Sequence, residues 1–81
     1  MAATAAGYIA LGMGAEQASE LATQVEGTPS AVRLIGLGFP VPLANELVTQ
    51  MTAGEGEAGN LMGLGVPTAL ATLIAADIEA T

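Results

Sequence analysis

Cysteine and histidine are both absent from these 81 residues. Without cysteine there is no disulfide framework and no thiolate metal site, and the redox compartment is left open. Without histidine the usual proton shuttle and the commonest transition-metal ligand are missing. Basic residues are nearly absent too. Arg33 alone stands against Glu16, Glu20, Glu26, Glu46, Glu55, Glu57, Asp77 and Glu79, a formal charge of −7. One arginine cannot release the counterions on which nucleic-acid binding depends, so nucleic acid is excluded as a partner. Long apolar runs are also lacking, although 52% of the residues are hydrophobic. Residues 34–45 are broken by glycine and proline and soon meet Glu46, well short of the ~20 apolar residues of a membrane span. The opening MAATAAGYIALGMGAE has no basic segment of the kind that begins a secretory signal. The expectation is a soluble chain made in the cytoplasm, with no membrane partner.

A chain this short hides only about 60–65% of its unfolded surface and is marginal on its own core. With no disulfide or metal to staple it, the remaining supports are self-association or docking on a larger body.

Chemical motifs fail one by one. GLGFP and GLGVP contain close glycines, but no G-x-G-x-x-G follows a strand and no lysine follows the glycines. Glu55 and Glu57 lack the alternating oxygen ligands of a calcium loop. Ser19 and Ser30 have neither histidine nor lysine to activate them, and Glu16 and Glu20 form an i, i+4 pair on a solvated helix face. The chain therefore reads as a non-enzyme, with no catalytic residue, metal site or cofactor.

What the sequence does contain is one unit written three times. Residues 8–28, 34–54 and 61–81 align without a gap, at starts 26 and 27 residues apart. Leu11, Leu37 and Leu64 coincide, as do Gly12, Gly38 and Gly65, and Ala18, Ala44 and Ala71. A period of this length marks a repeated supersecondary unit that cannot bury its apolar face alone. Each unit reads as a short helix, a tight turn and a longer helix. The longer one carries Ala18, Leu21, Ala22 and Val25 in the first copy, then Ala44, Leu47, Val48 and Met51, then Ala71, Ile74, Ala75 and Ile78. The i, i+3, i+4, i+7 spacing predicts helices near 15–26, 41–52 and 68–79, each with one core-facing stripe. The opposite face carries Glu16, Ser19, Glu20, Thr23 and Gln24, then Asn45, Glu46, Thr49 and Gln50. In the third copy Leu73 and Ala76 make that face greasier, either as a contact surface or because the helix is more enclosed.

The fold class that follows is all-α: three tandem helical hairpins of about 26 residues, at about 5–28, 29–54 and 58–81, in a single small domain. Gly12, Gly38 and Gly65 are placed at the turns as left-handed caps, with Met13, Phe39 and Val66 stapling the junction behind them. Gly14, Pro40 and Pro67 are expected near the first position of the next helix, with Pro42 delaying the second long helix, and Thr28 and Pro29 are read as N-cap and first residue of the second short helix. The loop 53–60 is expected to be an exposed spacer.

Two resemblances attach to these residues. Leu37 to Pro40, LGFP, after a short helix and before Ala44 and Leu47, resembles the MGF/MGFP loop of ubiquitin-associated domains. It covers the second copy only and implies a small helical adaptor module binding through Leu37, Gly38 and Phe39. The second covers almost the whole chain. Leu34, Leu37, Gly38, Phe39, Pro40, Leu43, Ala44, Leu47 and Met51, and again Leu61, Leu64, Gly65, Val66, Pro67, Leu70, Ala71, Ile74 and Ile78, follow a tandem pattern similar to that of head decoration and head fiber proteins of tailed bacteriophages. The first copy departs from it, with Gly14 for proline and Gln17 for leucine. This resemblance implies a structural virion protein on the outer capsid surface. Its partners would be the major capsid protein shell or other virion proteins, with self-association as a further possibility. Many copies carrying this negative charge are repelled by packed DNA, which favours the exterior. A self-assembling scaffold protein is the third class the composition allows. Tyr8, Met13, Leu34, Phe39, Leu61 and Met62, on the short helices and turns, are the candidate contact residues. Phe39 is either the anchor of that contact or the core staple of the middle hairpin.

Overall fold

The computed structural model describes residues 3–81 and places six helices along them, with no strand among the described residues. They are α1 (Ala5–Ala10), α2 (Ala15–Glu26), α3 (Ala31–Gly36), α4 (Val41–Ala53), α5 (Ala58–Gly63) and α6 (Thr68–Ala80). Short and long helices alternate, and each short one packs on the long one that follows, giving three hairpins. The three long helices lie within a residue of the spans predicted from apolar spacing.

Each turn is built the same way. The N–H of Phe39 donates to the Leu34 carbonyl at 3.1 Å and that of Gly38 to Ile35 at 3.0 Å, the paired bonds of a Schellman cap. Met13 to Tyr8 and Gly12 to Ile9 repeat the pair in the first copy, and Val66 to Leu61 and Gly65 to Met62 in the third. This geometry needs a left-handed residue, which is why glycine stands there: φ is +106° at Gly12, +99° at Gly38 and +101° at Gly65.

Gly14, Pro40 and Pro67 stand next to the first helical position as expected, and two other capping details differ. Pro40 and Pro67 are extended N-caps, one residue before the helix, in the place that Gly14 takes in the first copy. Pro42 falls in the first turn of α4, where no intrahelical N–H is needed, so it delays nothing and all three long helices start in register. The N-cap of α3 is Ser30, whose hydroxyl accepts from the Arg33 N–H, rather than Thr28.

The hairpins close into a ring. α2 packs on α3, α4 on α5, and α6 returns to α1, so every long helix touches the short helix of the next copy. The first two seams are held by one device. Gln24 accepts from the Ser30 N–H at 2.8 Å and donates to the Ser30 carbonyl at 3.1 Å, and Gln50 does the same to Glu57 at 2.9 and 3.1 Å. Both glutamines, expected on the solvated face, are buried, because each amide clamps the backbone that enters the next helix. Glu20 and Glu46 accept a further bond from these amides. The third seam substitutes different chemistry. Asp77, in the glutamine position, accepts from the Tyr8 hydroxyl at 2.8 Å, and Leu73 packs against Gly7. Leu73 is thus greasy because it is enclosed, whereas Ala76 stays exposed. Burial drives the Tyr8 phenol well above its ordinary pKa, and the hydrogen bond and negative charge of Asp77 push the same way.

One continuous core fills the ring. The stripes of α2, α4 and α6 meet Tyr8, Leu34 and Leu61 from the short helices, all three fully buried.

Candidate docking site

A hairpin has two ends, and the ring sorts its residues between them. At one end the three Leu-Gly turns converge. At the other lie the connectors 27–30 and 54–57 and the ends of the long helices. No charged residue occurs in 3–15, 34–45 or 58–76, so the turns and the short-helix segments that enter them are almost free of charge. Glu16 is the only acidic residue beside a turn. Glu26, Glu55, Glu57, Asp77 and Glu79 lie in or next to the connectors, and Glu20 and Glu46 sit midway along their helices. The molecule is therefore polarised, apolar at the turn end and acidic at the connector end.

An apolar cleft of about 290 Å³ opens between the turns. Met13, Phe39 and Val66 line it, one from each copy, together with Leu43, Leu70 and Ile74. Gln17, equivalent to Leu43 and Leu70, is the one polar side chain on the wall, and it donates to the Leu37 carbonyl at 2.8 Å, tying the first turn to the second. The volume falls at the lower limit of small-molecule pockets, about 300 Å³, and suits an inserted apolar side chain. No charged group lines it. Among the described residues no three His, Cys, Asp or Glu side chains gather to hold a metal ion, and no helix is long and apolar enough to cross a membrane.

The six candidate contact residues divide into two groups. Tyr8, Leu34 and Leu61 face the core and are fully enclosed, so they cannot touch a partner in this fold. The expectation failed because the long helices were credited with the whole core. In this ring each short helix adds one residue, Tyr8, Leu34 or Leu61, to the core that the long-helix stripes share. Phe39 is almost completely buried as the staple of the middle hairpin, and only its edge reaches the cleft. Met13 is half-buried on the cleft wall, and Met62 is exposed. Gly12, Gly38 and Gly65 form the turns as expected, and Pro40 and Pro67 border the cleft.

The exposed apolar residues that were not anticipated are Ile9, Leu11, Ile35, Val41 and Leu64, in or beside the turns, and Val32, the most exposed of them, in the first turn of α3 and away from the Leu-Gly turns. The alignment of the copies held the signal. Ile9 and Ile35 are equivalent to Met62, one residue after the buried position, and on a helix consecutive residues point about 100° apart. No protein-family model, curated protein or solved structure matches the chain.

Proposed function

We propose that the chain is a non-enzymatic structural protein of a tailed-bacteriophage virion, a decoration protein held on the outer surface of the head through its turn end. The observation that carries this reading is the polarity of the molecule. A decoration protein needs one face that leaves water for the shell and another that remains solvated. The turn end, almost free of charge and holding the cleft, supplies the first, and the acidic connector end supplies the second. The negative end then points away from the head and its DNA. A small core without staples gains stability from such docking, since anything that binds only the folded state stabilises it.

The test is co-purification. The chain should accompany intact particles of the phage that encodes it at a fixed number per particle through a density gradient, and be removed by protease treatment of intact heads. Chain found only free of particles would sink the reading. It would then favour a small helical adaptor that takes an apolar peptide side chain into the cleft. The burial of Phe39 counts against adaptor recognition through the LGFP loop in the manner of ubiquitin-associated domains, because its ring is not presented to a partner.

A further inference from the structure

The first hairpin, residues 3–26, is joined to the rest of the ring by one backbone connector and a short set of side-chain ties. The Tyr8 hydroxyl donates to Asp77 at 2.8 Å, the Gln17 amide donates to the Leu37 carbonyl at 2.8 Å, and the Gln24 amide clamps Ser30. Glu20 pairs with the Arg33 guanidinium at 3.4 Å. All these partners lie in residues 30–81, and none of the ties requires both sides to belong to one molecule. The connector itself is less firmly held than its equivalents. The Gly56 N–H donates to Glu79 at 2.9 Å and the Ala3 N–H to Glu26 at 2.8 Å, each pinning the chain before a short helix to the end of the same hairpin's long helix. Pro29 and Thr52 hold the equivalent places in the second copy, where proline has no N–H to donate and threonine brings no carboxylate. Among the described residues no backbone hydrogen bond from 27–29 reaches the second or third hairpin.

We propose that a second copy of this chain is a partner through exchange of the first hairpin: α1 and α2 of each molecule leave their own ring and complete the ring of the other, with 27–29 opened as the hinge. Exchange of an identical element restores the native contacts between two chains, so the dimer needs no new interface. Tyr8 again meets Asp77, Gln17 meets Leu37 and Gln24 meets Ser30. Only the hinge changes. From Glu26 to Ser30 is four residue steps, about 14 Å when extended, so the two rings stand close and face each other through their connector ends. Those ends are acidic. Glu26, Glu55, Glu57 and Glu79 of one ring approach the same four of the other, and repulsion opposes the dimer wherever these charges are unscreened. The Debye length falls from about 10 Å at 0.1 M salt to about 3 Å at 1 M. Salt is therefore the control on exchange, and the closed monomer is the low-salt form. The exchange involves no shell and is independent of the decoration reading.

Because the chain has no cysteine, one introduced into each molecule reports the exchange directly. A Cβ placed on Gly7 lies 3.3 Å from a Leu73 methyl carbon, so these two positions face each other across the seam between α6 and α1. Gly7→Cys and Leu73→Cys chains, each checked for an unchanged helical spectrum, are mixed, unfolded in urea, refolded together at high concentration in low or high salt, and treated with oxidised glutathione. A disulfide joining the two variants is expected in excess of either homodimer, and more of it in high salt, because only an exchanged ring sets residue 7 of one chain against residue 73 of the other. Wild-type chain refolded in the same way tests the proposal without any substitution. Its dimer dissociation constant in sedimentation equilibrium should fall about tenfold or more between about 0.02 M and 1 M salt. Disulfide pairs in random proportion overturn the proposal, as does wild-type chain that stays monomeric at high salt and high concentration. A dimer that forms from folded monomer on simple mixing and gives no seam disulfide is an association of intact rings, and it overturns the proposal too.

Discussion

Gln50→Glu replaces one NH2 group by an oxygen and probes the seam between the second and third hairpins. In the wild type the amide accepts from the Glu57 N–H at 2.9 Å and donates to the Glu57 carbonyl at 3.1 Å and to the Glu46 carboxylate at 2.9 Å. An ionised glutamate keeps the first bond, loses both donated ones, and faces a carbonyl and a carboxylate with its own charge while only 3% exposed. With about 1–2 kcal/mol for each lost bond and a further contribution from the like charge, the penalty at neutral pH is about 3–4 kcal/mol. That is a large share of the roughly 5 kcal/mol that holds a small domain together. Protonation restores a donor of nearly the same shape. The folded-state pKa of the new carboxyl is therefore raised above the unfolded value of about 4.3, and the folded chain holds a proton that the unfolded chain releases. The variant should match wild type most closely below about pH 4 and fall behind by about 1.4 kcal/mol per pH unit above it, until the raised pKa is passed. Urea unfolding followed by circular dichroism at pH 4 and pH 7, each referred to wild type at the same pH, measures this. An equal deficit at both pH values would show that the amide clamp is not what Gln50 provides. Asp77 supplies the natural control: a carboxylate is native at the equivalent place in the third copy because its partner there, the Tyr8 hydroxyl, is a donor.

Tyr8 is the only tyrosine, so its phenol can be titrated by ultraviolet absorption without interference. No phenolate should form while the chain is folded, and stability should decline as pH rises past about 10, where only the unfolded chain ionises; a reversible titration near pH 10 in folded protein refutes the closed seam. Gly56→Ala should destabilise by about 2 kcal/mol or more, because a Cβ there overlaps the Ala75 carbonyl, whereas Gly59→Ala, on an open face of α5, should stabilise by about 0.5–1 kcal/mol. Equal melting temperatures for the two would contradict the close approach of the connector to α6. Phe39→Ala should cost about 2–4 kcal/mol in urea unfolding, as a core staple that solvent can partly replace through the cleft, and a change below about 0.5 kcal/mol would place Phe39 outside the core.

The helices and their turns were legible because local rules decide them. A glycine after a short helix, with an apolar residue behind it, specifies a Schellman turn whatever surrounds it, and the i, i+3, i+4 stripes of the long helices report their own buried faces. The ring was not legible, because it depends on contacts between copies. Gln24 and Gln50 stand among glutamates and threonines on a face that reads as solvated, and their burial follows from the connector backbone of the next hairpin. The short helices were misread for a related reason. Six residues are too few for a period to declare a face, so only the alignment of the copies groups Tyr8, Leu34 and Leu61 apart from Ile9, Ile35 and Met62, and the ring decides which group is inside. The polarity of the two ends was present in the spacing of the charges and becomes visible once the turns are known to converge.

The closing contact between α6 and α1 has a consequence for chain order. It is equivalent to the contacts of α2 with α3 and of α4 with α5, and it places the end of the third copy against the start of the first. The internal connectors, residues 27–30 and 54–57, have four residues each, and a bond from residue 81 to residue 1 would leave five between Ala80 and Ala5. A break in either connector would leave the same ring of six helices, with that seam held by side-chain contacts as α6 and α1 hold each other. The α6–α1 seam thus shows the Tyr8–Asp77 bond and the Leu73 contact standing in for a covalent connector between neighbouring hairpins.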